Sequence, residues 1–198
     1  MVDLAELLAR RRMTRSFDGS PVDLPWLVGT CETALLAPTA GHSAGVTLSV
    51  VGRDRVGEYL EVATDPSWRA RSTRYAGWAR AGGLVLVSSR VSAYLERYGE
   101  PDKAASGLAE RDAWPVPYWH GDAAMATMAL LLLVEEAGLA AGLWGAFRNV
   151  EAVRDWAGLV EDELFATVFV GRPDGRDRPS ASLARPVPTR AQRVRRLG

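Results

Sequence analysis

The chain has 198 residues, 47% of them hydrophobic, and its 24 Lys plus Arg are matched by 24 Asp plus Glu. That length fits one domain with a sizeable core, and the zero net charge provides no global field drawing the chain to nucleic acid or to an anionic membrane surface. One cysteine, Cys31, excludes an intrachain disulfide and a multi-thiolate metal site.

Residues 2–12 carry apolar side chains at 4, 7 and 8, a helical stripe, and acidic Asp3 and Glu6 interrupt them. No secretory h-region is present there, so the expected location is cytoplasmic. Asp23 suits the N-cap of a helix over 24–36, with Pro25 tolerated in its first turn and Pro38 stopping it. Residues 46–51 read as a strand and 53–63 as a short helix. Residues 84–87 read as a buried strand after Gly82-Gly83, while 99–118 mix Gly, Pro and charge and read as an excursion. The run Ala123–Val134 is apolar all round, which predicts a central core helix ended by Gly138. It is too short to span a bilayer. Residues 168–170 read as a last strand, closed by Gly171 and Pro173.

Together these patterns predict an α+β domain over 1–178. Residues 179–198, with Pro179, Pro186 and Pro188, are expected to form an extended arm able to wrap a partner subunit. The arginines of that arm are also compatible with a solvated tail.

Three stretches carry the candidate chemistry. Arg11-Arg12-Met13-Thr14-Arg15-Ser16-Phe17 sets three guanidinium groups at the end of the first helix. Such planar donors suit phosphate oxygens, and they are also suited to capping a helix C-terminus, whose dipole favours cations. Pro38-Thr39-Ala40-Gly41-His42-Ser43 follows one helix later, and Gly138 to Phe147 closes the longest apolar run. His42 is compatible with purely local hydrogen bonds, and Tyr118, Trp119 and His120 with an aromatic core. His120 and Asp122 fall on different faces of a helix, which argues against a metal pair, and no metal site is expected.

These stretches, in this order, resemble the nitroreductase family, and Trp114 to Trp119 is similar to an actinobacterial branch of it. The resemblance implies a nitroreductase-like fold, with a mostly antiparallel sheet flanked by helices, and an FMN-dependent homodimer. Arg11 would contact the FMN phosphate, Arg12 and Met13 would add contacts, and Arg15 would reach the pyrimidine edge. Pro38, Thr39, Ala40, Gly41 and His42 would meet the flavin of the opposite subunit. Leu143, Trp144, Gly145 and Ala146 would face the flavin, with a main-chain N–H near Gly145 directed at N5. Arg185 would join the phosphate, and Tyr118 and Trp119 would line a substrate channel. Met13 and Ala44-Gly45-Val46 depart from the family's pattern, and residues 64–82 offer no polar flavin contact.

The implied activity is hydride transfer from NADH or NADPH to a nitroaromatic, quinone or related conjugated acceptor. The cofactor carries the chemistry, so no catalytic side chain is assigned, in keeping with two histidines and no hydrolase motif. A deazaflavin donor, an FMN-sequestering protein with little or no turnover, and a specialised member acting on flavin itself or a peptide-like substrate stay open.

Overall fold

In the computed structural model, which describes residues 3–145, 148–178 and 180–197, the apolar runs become one antiparallel sheet. Its strands are β1 (Val46–Gly52), β2 (Gly83–Ser89), β3 (Ala140–Trp144) and β4 (Glu163–Gly171), in the order β1-β2-β4-β3. Every residue of β2 is buried, as a strand paired on both sides and covered on both faces must be. It runs two residues past the predicted end because both serines find partners. Ser88 Oγ donates to Asp162 Oδ2 at 3.0 Å, and Ser89 Oγ donates to the Trp119 carbonyl at 2.8 Å. β4 starts well before residue 168, and a register shift at Val87/Ser88 accommodates the extra length.

The helices are α1 (Leu4–Arg10), α2 (Leu24–Ala34), α3 (Val56–Ala63), α4 (Pro66–Arg71), α5 (Tyr75–Trp78), α6 (Val91–Gly99), α7 (Tyr118–Glu136) and α8 (Val150–Ala157). Asp23 caps α2 by accepting from Trp26 N at 3.2 Å, and Pro25 sits in the first turn as expected. The helix ends at Ala34 rather than residue 36. Residues 53–55, expected to open a helix, instead form a 3-10 turn that leads into α3. The segment 64–82, which had no assigned element, holds α4 and α5.

α2 and α7 cover one face of the sheet, packing on Val85, Val87, Val168 and Val170. α3, α5 and α8 cover the other, around Leu84, Leu86 and Phe169. A smaller aromatic cluster of Tyr94, Trp114 and Trp119 joins α6, the 100–117 excursion and the start of α7. The predicted core helix is longer than its apolar run and is not buried all round. Ala123, Ala126, Leu130 and Val134 face the sheet, while Met125 on the other side is 42% exposed.

After β4 the chain passes beside Phe17, which is bridged to Pro173. Residues 180–197 carry two 3-10 turns, Ala181–Ala184 and Ala191–Arg193, and leave Leu183, Val187, Val194 and Leu197 exposed. No helix among the described residues is long and apolar enough to cross a membrane.

Candidate functional site

The chain leaves α1 at Arg11 and runs along the outer edge of β3. Met13 bridges Ala141, and Thr14 N donates to the Ala141 carbonyl at 2.9 Å. Gly142 permits this approach, since a Cβ there would run into the Thr14 carbonyl oxygen. The Leu143 amide points at Met13 Sδ, 3.5 Å away. The structure therefore brings the first and third sequence motifs side by side.

The arginines of this segment have different fates. Arg10 is held by Glu135, through its carboxylate at 3.0 Å and its carbonyl at 3.2 Å. Arg12 turns back to donate to the carbonyls of Ala9 (2.6 Å) and Arg11 (3.0 Å), so its side chain caps α1. Arg15 donates to the Met13 carbonyl at 3.1 Å through one nitrogen. Arg11 differs from all of these. Its Nη1 is buried with no hydrogen-bond partner among the described residues. A buried guanidinium donor without an acceptor costs free energy unless an anion completes it. Such a donor at a helix end fits a phosphate oxygen. Arg185 is exposed just after the Ala181–Ala184 turn, and no side-chain hydrogen bond joins it to Arg11 or Arg15 among the described residues.

The second motif goes elsewhere. Ala40 N donates to Asp122 Oδ2 of α7 at 2.8 Å, and the Gly41 carbonyl accepts from Arg97 Nε of α6 at 2.8 Å. Pro38 and His42 are exposed, and Thr39 Oγ1 closes the loop by accepting from Ala44 N at 3.1 Å. Within one chain, these polar contacts tie the loop to α6 and α7 and not to the Arg11–Arg15 segment.

At the end of β3, Leu143 turns toward α7 while Trp144 turns to the opposite face. There Trp144 stacks on Trp68 at 5.8 Å and 14°, and meets Tyr59 edge-on at 6.4 Å. A cavity of about 140 Å³ opens beside them, lined by Thr64, Asp65, Gly145 and Arg148. Ala146 lies outside the described residues. Burial pushes the Tyr59 phenol up to about 12, opposed by its 2.6 Å hydrogen bond to Thr167.

Tyr118 is 47% exposed, whereas Trp119 is 3% exposed and donates through Nε1 to Glu163 at 3.2 Å. Trp119 is thus a core aromatic, and of the two only Tyr118 faces outward. Glu163 also takes Arg111 at 2.6 Å and lies 3.1 Å from His120 Nε2. Pattern reading missed this hub, because its members are scattered over more than fifty residues. It missed Asp122 as a loop anchor for the same reason. Among the described residues no cluster of His, Cys, Asp or Glu suits a metal ion.

The comparisons agree with the fold. The profile of the nitroreductase family matches residues 8–172, and the chain belongs to that family. At that level it is an oxidoreductase. Among solved structures, it is similar to a Staphylococcus epidermidis protein named as an NAD(P)H:FMN oxidoreductase, at 17% identity and TM-score 0.70. That match covers 100% of this chain and 96% of the other. A Bacillus subtilis protein named as a nitroreductase matches at 17% identity and TM-score 0.70, covering 98% of both chains. A third, from Exiguobacterium sibiricum, named as a nitroreductase and solved in complex with FMN, matches at 14% identity and TM-score 0.66. It covers 91% of this chain and 93% of its own. A search among curated proteins returned no match.

Proposed function

We propose that the chain is an FMN-dependent oxidoreductase that takes electrons from NADH or NADPH and passes them to a nitroaromatic, a quinone or a related conjugated acceptor. It would work as a cytoplasmic homodimer. The observation that carries this reading is the buried, unpartnered Nη1 of Arg11 on a segment laid against β3.

FMN, when bound, would supply the hydride chemistry through its own ring system. The chain's residues would bind and orient it. Arg11 would neutralise the phosphate by charge-assisted hydrogen bonds. The donors of Arg15 not engaged with Met13 would face the pyrimidine edge, where a fixed cation favours negative charge on the reduced ring. Main-chain groups at Leu143–Gly145 would support the ring face. Arg185 would reach the phosphate from the C-terminal arm, whose exposed apolar residues suit contact with a partner subunit. Pro38 to His42 would serve the partner's flavin, in keeping with a loop anchored away from its own Arg11. Tyr118 is the exposed aromatic retained for the acceptor.

A second reading is FMN binding with little or no turnover. It is favoured by Met13, which places a thioether against the Leu143 amide, and by the 64–82 segment, which presents stacked aromatics there. The visible spectrum of the purified protein and its NAD(P)H oxidation test both. Flavin bands with turnover support the first reading, stoichiometric flavin without turnover the second, and a colourless protein that ignores added FMN ends both. Arg11→Ala should weaken FMN at least tenfold and Arg15→Ala severalfold in a fluorescence titration; unchanged affinity in both would reject the site.

A further inference from the structure

The loop Thr39–Ala44 is strained. Gly41, His42 and Ala44 have φ of 62°, 59° and 52°, and two of the three carry a Cβ that disfavours this region. Even at Gly41 the space is closed, since a Cβ there would lie 2.7 Å from the Tyr98 ring. A conformation of this kind persists only where its surroundings over-determine it.

Packing does so only in part, where the Tyr98 ring closes on Gly41 and the Tyr94 ring on Gly45. A cavity of about 120 Å³ lies under the loop, bordered by Leu35, Thr39, Ala44 and Ala126. Hydrogen bonds supply the rest of the restraint. Asp122 Oδ2 accepts from Ala40 N at 2.8 Å and from Tyr94 Oη at 2.9 Å, so a single oxygen ties the loop to α7 and α6 together. Arg97 adds its 2.8 Å bond to the Gly41 carbonyl. Asp122 is 2% exposed and forms no ion pair among the described residues. Burying a carboxylate among neutral donors is costly, and removing it alone would leave the buried Ala40 amide and Tyr94 hydroxyl without their acceptor. What the carboxylate supplies is a fixed direction for the Ala40 amide, and with it the shape in which His42 and the neighbouring backbone face outward.

Resting on the functional reading above, we propose that Asp122 and Tyr94 are positioning residues for the flavin pocket of the partner subunit. They hold the 39–44 loop in the strained form that pocket needs. Neither touches the cofactor, and their effect passes through the loop backbone.

The test uses full-length wild type, Tyr94→Phe, Asp122→Asn and Asp122→Ala. FMN affinity of the apoprotein, visible circular dichroism of bound flavin, and hydrogen–deuterium exchange of the 38–45 peptide in ligand-free protein are compared. Tyr94→Phe removes one hydroxyl and should weaken FMN about three- to tenfold. Asp122→Ala should weaken it about thirtyfold or more. Asp122→Asn, which keeps an acceptor oxygen, should recover part of that loss. Exchange of the peptide should rise in the same order, and the flavin dichroism should change in sign or intensity. A lower melting temperature with unchanged affinity, dichroism and peptide exchange would overturn the proposal. If Asp122→Ala does not fold, Tyr94→Phe decides by the same criteria. If wild type binds no FMN, the functional reading falls, while the exchange data still decide whether Asp122 and Tyr94 hold the loop.

Discussion

The two helical layers on the sheet are built to different standards of closure. The layer of α3, α5 and α8 is filled largely by aromatic rings. Phe169 is fully buried, with the rings of Trp78, Tyr59 and Trp144 at 4.6, 5.9 and 6.0 Å. The layer of α2 and α7 is dry only on its inner side. On its outer side Leu24, Val28, Leu35 and Met125 are 41–44% exposed, and Leu36, just past α2, is 82% exposed. Scattered apolar residues on a surface need no explanation, but five on one pair of helices and the adjoining turn form a surface suited to a partner. The contrast teaches that this chain packs one face with its own aromatic rings and leaves apolar side chains exposed on the other, the face that would meet a second protomer in the proposed homodimer.

The largest effect should come from breaking the finished face. Phe169→Ala leaves a cavity among rings that cannot all close on it, and should lower unfolding free energy by about 3–5 kcal/mol in a denaturant titration. A loss below about 1 kcal/mol would show that this layer is loosely packed.

An intermediate effect is expected on the open face. Leu36→Asp combined with Met125→Asp places charge on the exposed side while changing little inside one protomer. Sedimentation should show the molecular mass halved, with near-native far-ultraviolet dichroism and a protomer stability change of about 0.5 kcal/mol or less per site. FMN content should fall with it, because in the proposed homodimer the 39–44 loop serves the partner's flavin. An unchanged mass would place the partner surface elsewhere.

The smallest effect sharpens the comparison from within the open layer. Cys31 lies on the inward side of α2, where burial, followed by the neighbouring Glu32, pushes its thiol up to about 12. Folded protein should resist alkylation by iodoacetamide at pH 8.5, and unfolded protein should label at once. The unfolded thiol ionises near its ordinary value of about 8.5. The contribution of this group to stability is therefore complete below that pH and is lost as pH rises from there toward 12. Rapid labelling of the native chain would mean that α2 opens from the sheet.

How much of this was legible depends on the distance between partners. The strand at 84–87, the N-cap at Asp23 and the helix ended by Gly138 follow from local patterns, since the relevant groups lie within a few residues. That the Arg12 side chain caps α1 could not be read from spacing, because its acceptors, the Ala9 and Arg11 carbonyls, are presented to it only once α1 has ended where it does. Sequence left Trp119 between an aromatic core and a substrate channel, because its neighbours Tyr94 and Trp114 reach it from separate elements. The short helices α4 and α5 carry no long apolar stripe, so periodicity has nothing to detect there.

Local hydrophobic spacing and turn chemistry located three of the four strands and the core helix, and the resemblance carried by the motifs pointed to the family, the antiparallel sheet and Arg11, Arg12 and Arg15 as candidate cofactor contacts. Only the tertiary structure decided which guanidinium stays unsatisfied, which aromatics are interior, and that Asp122 holds a loop whose Ala40 is 82 residues away. The reason is that a hydrogen bond or a buried ring is a property of two surfaces meeting. Sequence spacing encodes that meeting within a helix or a strand, and only the folded chain encodes it between them.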